Sequence, residues 1–227
     1  MSKISIIIPT INEANNLPLL LSDLSSIQKE GEIIIVDCGS EDKTIDIANI
    51  YGAKVYISKE RNRGFQLNLG AKNSKGDWLI FLHADTRLNH DWFRKINSFL
   101  KGNKNSIYYF KFKINNKKIV YRVLEILVNF RSRFFKQPYG DQGLIIHRTT
   151  YLKNNGFRKI PLMEDVDFLR RLKKTKDLKQ LNSPIFISSR KWERTNIFLQ
   201  AIKNWQFRRR WLKGESLKSI YSDYYKK

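Results

Sequence analysis

Residues 78–87, WLIFLHADTR, constrain the fold more than any other stretch of this chain. Five apolar residues, Trp78 to Leu82, form an unbroken run of the length expected for a strand buried on both faces. Such strands belong to parallel sheets covered by helices. The run stops at His83-Ala84-Asp85, so a buried parallel strand delivers a carboxylate at its C-terminal end. In open α/β sheets that edge is where ligands bind, because the loops above the strand ends enclose a crevice. His83 and Asp85 are two apart and project to the same side of an extended backbone, where they could share a metal or a phosphate-bound cation. The alternative is that Asp85 caps a following helix.

The preceding segments repeat a strand–loop–helix pattern. Ile4 to Ile8 is a short apolar run ended by Pro9-Thr10, and Leu17, Leu20, Leu21, Leu24 and Ile27 follow at helical spacing. Glu32 to Val36 is a second strand that ends in Asp37-Cys38-Gly39-Ser40, a second carboxylate at a strand end. Ile45, Ile47, Ala48 and Tyr51 then mark a helix that stops at Gly52, and Lys54 to Ile57 is a third, shorter strand. Arg61 to Gly70, which contains Gly64, Gln66 and Asn68, opens a helix running to Gly76. It reads equally as a solvated basic turn or as a phosphate or base contact. The β-α-β-α-β-α-β order predicts an α/β fold: a doubly wound, mostly parallel sheet with right-handed crossovers.

The second half is less regular. Ile107 to Ile114 alternates with lysines and predicts a half-exposed, antiparallel strand. Tyr121 to Phe130 is amphipathic, with Val123, Leu124, Leu127 and Val128 on one face. Arg131, Arg133 and Lys136 follow beside Phe134 and Phe135, an interleaving that suits a membrane interface, single-stranded nucleic acid or a packed helix end. A polar turn, Pro138 to Gly143, precedes a strand at Leu144 to His147, and Glu164-Asp165-Val166-Asp167 opens a helix whose dipole favours acids. Ile185 to Ile187 is a short last strand. Beyond it Ile197, Phe198, Ala201, Ile202, Trp205 and Leu212 trace one helical face flanked by Arg208 to Arg210, a helix that lies in a bilayer interface or packs on the domain. These patterns divide the chain into a main α/β domain, 1–192, and a basic amphipathic helical tail, 193–227.

With 227 residues the chain can bury a core without staples, and its one cysteine, Cys38, excludes a disulfide framework and fits a reducing cytoplasm. No apolar run reaches membrane-spanning length. The net charge is +22, and from residue 114 onward 27 basic side chains face 9 acidic ones. An excess of that kind points to nucleic acid, anionic lipid or a phosphorylated substrate.

Ile6 to Glu13 (IIIPTINE), Ile35 to Thr44 (IVDCGSEDKT) and Gly76-Asp77 before the central strand, in that order, resemble a family 2 nucleotide-sugar glycosyltransferase with the A-type glycosyltransferase fold. The resemblance covers nearly the whole chain. HADTRL at His83 to Leu88, PYGDQG at Pro138 to Gly143 and PLMEDV at Pro161 to Val166 are similar to small bacterial members labelled radical-SAM/selenodomain-associated.

The resemblance implies that Pro9, Thr10, Asn12 and Glu13 line the base and ribose of the donor, that Asp37 accepts from base or ribose, and that Gly64, Gln66 and Asn68 flank the nucleotide. It implies that Asp85 holds Mn²⁺ or Mg²⁺ against the diphosphate. The family's usual D-x-D is His83-Ala84-Asp85 in this chain, so His83 either supports the metal or contacts phosphate. Asp165 matches the general base of the family's E-D motif in an inverting transfer, with Glu164, Asp141 and Gln142 as acceptor or sugar contacts. Ser188 to Trp192 lacks the Gln of the processive members' Q-x-x-R-W, which argues against a polymerising synthase. The implied partners are a nucleotide-sugar donor and a hydroxyl acceptor, lipid-linked or hydrophobic, at an anionic membrane face in the cytoplasm. Two readings compete: a nucleotidyltransferase of related fold, and a basic nucleic-acid-binding module. The strand-end carboxylates oppose the second, because without a metal they repel phosphate.

Overall fold

Alternation along the strands decides the layers. In β1 (Ile4–Thr10), Ile4, Ile6 and Ile8 join one apolar cluster and Ile7 the other, and in β2 (Gly31–Asp37) Ile33 and Ile35 oppose Ile34 and Val36. Strands buried on both faces need helices on both faces. The computed structural model, which describes residues 3–27, 30–173, 177–189 and 197–225, supplies them. On one side lie α1 (Leu17–Asp23), α2 (Thr44–Ile50), α4 (Trp92–Leu100) and α5 (Ile119–Phe134). On the other lie α3 (Arg63–Asn73), α6 (Arg148–Lys153) and α7 (Glu164–Lys173).

The remaining strands are β3 (Lys54–Ile57), β4 (Trp78–Phe81), β5 (Thr86–Leu88), β6 (Ser106–Ile114), β7 (Leu144–His147) and β8 (Asp177–Ile187). They form one sheet of eight strands in the order β3-β2-β1-β4-β7-β6-β8-β5. The first four are parallel, as the sequence pattern predicts. The chain winds outward from β1 to β3 and then returns through α3 to place β4 on the other side of β1. The strand order therefore reverses between β1 and β4, the place where open α/β sheets bind their ligands. Beyond β4 the sheet is mixed: β7 is antiparallel to β4 and β6, while β8 is parallel to β6 and antiparallel to β5.

Several expectations change. β6 is not half-exposed: all but Lys111 and Lys113 are buried, because its side chains enter both apolar clusters. β8 runs eleven residues rather than three; Asp177, Lys179 and Asn182 are each exposed beside a buried residue, and Ser183 is buried. The first helix ends at Asp23, and Ser25–Ile27 forms a 3₁₀ turn. On α5, Leu124 is buried and Val128 half-buried, while Val123 and Leu127 are exposed, so the four do not share one face.

Two helices follow, α8 (Ile197–Leu212) and α9 (Leu217–Tyr225). They dock on the domain: Ile220 is fully buried, and the Arg170 guanidinium lies 5.4 Å from the centre of the Trp211 ring. The expected domain boundary after Trp192 and the segment Arg190 to Trp192 lie outside the described residues. Among those residues no helix is long and apolar enough to cross a membrane.

Candidate functional site

The loops after β1 and β2 are tied to each other before any ligand arrives. Asp37 ends β2 fully buried and accepts from the Thr10 hydroxyl (2.8 Å), the Ser40 backbone N–H (2.8 Å) and the Ser40 hydroxyl. Asn12 has a left-handed backbone (φ 52°), a conformation Asn tolerates better than most residues. Its N–H donates to Ser40 Oγ and its side-chain carbonyl accepts from the Glu41 N–H, each at 2.8 Å. Glu13 accepts from Asn16 at 2.6 Å. Pro9 is half-buried, Thr10 is buried and Asn12 is exposed at the rim. The Asp37 carboxylate is thus an internal anchor for two loops rather than an open acceptor.

Gln66 and Asn68 are also turned inward. Gln66 Nε2 donates to Val36 O (2.8 Å) and Thr10 O (3.1 Å), clasping the ends of β1 and β2. The Asn68 amide bonds Phe157 O with its nitrogen and the Tyr151 hydroxyl with its oxygen. Gly64 is a packing position: a Cβ there would come within 2.4 Å of Arg158 O. Gln142 is fully buried and bonds Ser132 and Phe110 O, so it shapes its loop from inside.

Beyond β4 the backbone does not stay extended. The Thr86 N–H donates to His83 O at 3.2 Å, which closes a turn at His83 to Thr86. His83 and Asp85 nevertheless line one cleft of about 320 Å³, together with Arg63, Tyr139, Asp141, Asp165, Gln200, Asn204 and Tyr224. The turn itself is held from below. Arg87 forms a two-pronged ion pair with Asp23 of α1 (2.6 and 2.9 Å), and Asp23 also accepts from the Leu88 N–H at 2.9 Å.

The three acids that open α7 have three different surroundings. Glu164 is 2 % exposed and ion-paired with Arg63. Burial, reinforced by the charge of Asp165, pushes its carboxyl up from the ordinary range despite the lowering effect of Arg63. Asp167 is buried between Arg158 (3.3 Å) and Arg171 (3.0 Å). Asp165 is the one that lines the cleft; its Oδ2 accepts from the Gly140 N–H at 2.6 Å and its Oδ1 from the Val166 N–H at 2.8 Å. Those amides, one at the helix N-terminus, hold the Asp165 side chain in a fixed orientation. Gly140 permits the approach: a Cβ there would stand 3.1 Å from Asp165 Oδ2 and 3.2 Å from His83 Nε2.

Tyr139 forms the wall beside Asp165. The Arg131 guanidinium stacks 3.6 Å from its ring centre, and Arg208 of α8 donates to its hydroxyl (2.9 Å) and to Gln137 (2.6 Å). The C-terminal helices therefore contribute to the cleft through Gln200, Asn204 and Tyr224. Sequence reasoning missed these three, and also Arg63 and Tyr139. The last two sit inside the motifs RNRG and PYGDQG and could have been found there; the tail residues carry no local signal.

A protein-family model described as "Glycosyl transferase family 2" matches residues 5–213. Curated relatives include a 4,4'-diaponeurosporenoate glycosyltransferase of Staphylococcus haemolyticus, 41% identical over 39% of this chain and 25% of its own length. A PGL/p-HBAD biosynthesis glycosyltransferase of Mycobacterium bovis is 40% identical over 37% of this chain and 36% of its own length. The matches thus span only about a quarter to a third of these relatives. Among solved structures, residues 1–349 of S. aureus TarS superpose with a TM-score of 0.67 at 20% identity, covering 82% of this chain and 60% of that one. Glucosyl-3-phosphoglycerate synthase from Mycobacterium tuberculosis, solved with Mn²⁺, UDP and glucosyl-3-phosphoglycerate, gives 0.59 at 18% identity, covering 82% and 70%. At these identities the two structures speak for the fold alone.

Proposed function

The chain belongs to glycosyl transferase family 2, and from that premise we propose that it moves a sugar from a nucleoside-diphosphate sugar to a hydroxyl acceptor with inversion at the anomeric carbon. The observation that carries this reading is the cleft beyond the end of β4, which Asp85 and Asp165 line together. Pro9, Thr10, Asn12 and Glu13 would line base and ribose, on loops that Asp37 and Gln66 hold in place. Asp165 takes the proton of the acceptor hydroxyl as its oxygen bonds to the anomeric carbon. The bond to the diphosphate breaks on the opposite face, and the nucleoside diphosphate departs.

A divalent cation fits the donor set. An imidazole and carboxylates line one cleft, and Mn²⁺ accepts both kinds of ligand. Among the described residues no three His, Cys, Asp or Glu side chains gather into a closed metal site. Asp85 and His83 would therefore hold a cation whose remaining ligands come from the donor's phosphates and water. When bound, it supplies positive charge to the leaving diphosphate. Asp141 and the tail residues Gln200 and Asn204 stand where the acceptor enters. We assign that acceptor to a lipid-linked or otherwise hydrophobic alcohol at the cytoplasmic membrane face, because Arg131 and Arg208 of the basic second half pack on Tyr139 of the cleft wall.

Calorimetric titration of UDP, GDP and CDP, each with Mn²⁺ and with Mg²⁺, tests the donor site. The expected result is metal-dependent binding of one nucleotide that Asp85→Ala abolishes. Binding that is indifferent to both metal and Asp85 would remove the metal from this reading; no nucleotide binding at all would remove the donor site.

A further inference from the structure

Surface helices of folded proteins bury one apolar stripe and turn charge outward. α5 departs from that pattern. Its inward side, Tyr121, Leu124, Glu125 and Ser132, is buried against β6 and its surroundings. Its outward side is a second apolar stripe at spacings of three and four: Ile119, Val123, Ile126, Leu127, Phe130 and Phe134. Ile119 is 83% exposed, Ile126 68% and Phe134 65%. At the C-terminal end three rings gather in the open, with Phe130 4.5 Å from Phe134 and 6.1 Å from Phe135.

Charge surrounds this stripe with one sign. The only acid of the helix, Glu125, is turned inward, where it accepts from the Ile114 N–H (2.6 Å) and pairs with Arg122 (2.9 Å). Lys117 and Lys118 precede the helix; Arg133 and Lys136 close it; all four are exposed. Ile126, Phe130 and Phe134 also border an open groove of about 890 Å³, whose other walls carry Lys111, Lys113 and Lys179 and no acid besides Glu125.

We propose that the outward face of α5 is a docking surface for an anionic lipid bilayer. Apolar side chains with three phenylalanine rings at one end suit the boundary between acyl chains and headgroups, and the basic rim suits anionic headgroups. A second copy of this chain is a poor occupant, since each copy carries a net charge of +22 and offers no acidic counterpart on this face. Docking would also place the cleft. Six residues beyond the stripe stands Gly140, which contacts Asp165, and Arg131 of the same helix stacks on Tyr139 of the cleft wall. The surface deepens the reading of a membrane-held acceptor and rests on it only for its purpose, because lipid binding is measured without donor or acceptor.

The test is co-sedimentation of the full chain with vesicles of phosphatidylcholine alone and with added phosphatidylglycerol, over a salt series. The expected result is binding to the anionic vesicles that weakens as salt rises. Phe130→Ser with Phe134→Ser should weaken it at least tenfold, whereas Ile50→Ser, at an equally open position on α2, leaves it unchanged. UDP titration on the same variants shows that they are folded, and its failure in the unmodified protein would count against the donor site only. No sedimentation at low salt, equal binding to both vesicles, or binding untouched by the double substitution overturns the proposal. A dimer that the double substitution dissolves overturns it too, by making the face a protein interface.

Discussion

At the start of α7, position decides chemistry: acids one and two residues apart meet a cleft, one arginine or a pair of arginines. Replacing Asp165 by Asn keeps the shape and removes the proposed proton acceptor. Sugar transfer should fall by roughly 10² to 10⁴ with nucleotide binding retained, which a turnover assay beside a titration reads directly. Glu164 gives a different signature. Its folded-state pKa is raised above the ordinary 4.5, so its favourable contribution is complete below that value and is lost as pH rises through the folded one. The unfolding free energy of the protein minus that of Glu164→Gln should therefore decrease from about pH 4.5 upward. A difference that grows would mean that Arg63 outweighs burial. At Gly140, substitution by Ala should lower turnover more than it lowers the melting temperature. The new Cβ presses on Asp165 and His83, and the core is untouched.

Among the elements, β5 depends on one ion pair. Asp23→Ala removes both prongs from Arg87 and the acceptor of the Leu88 N–H, and should cost about 1 to 3 kcal/mol in urea unfolding. This strand shows where sequence reading stops. The parallel half was legible, because apolar runs, strand-end carboxylates and helical spacing all agree there. A three-residue strand such as Thr86–Leu88 has no period to detect, and β8 hid its length by interrupting its apolar residues with polar ones, of which Ser183 is buried. Gln66 and Asn68 are hard to read for another reason. A polar side chain on a helix is the same letter whether it waits for a ligand or clasps backbone carbonyls inside, and only the packing of α3 on β1 and β2 tells the two apart. Gln200, Asn204 and Tyr224 matter only because the tail docks where it does, a long-range property that no local pattern encodes.

For the molecule as a whole, stability is unevenly distributed. The sheet is buried between two apolar clusters, while α8 keeps Leu199, Ile202 and Trp205 about half exposed and reaches the domain largely through Arg208 and Trp211. Regions with few buried contacts open at lower free energy than the core. Turnover should therefore disappear at lower urea than the far-ultraviolet circular dichroism of the sheet; coincident transitions would make tail and sheet one cooperative unit. The cleft also draws on positions from Arg63 to Tyr224, so most of the polypeptide must be in place before its walls meet. A ribosome making this protein releases the loops after β1 and β2, the strand-end acids and Asp165 well before Tyr224 clears the exit tunnel. Until then the growing chain has its sheet but an unfinished cleft, which waits for Tyr224 to emerge.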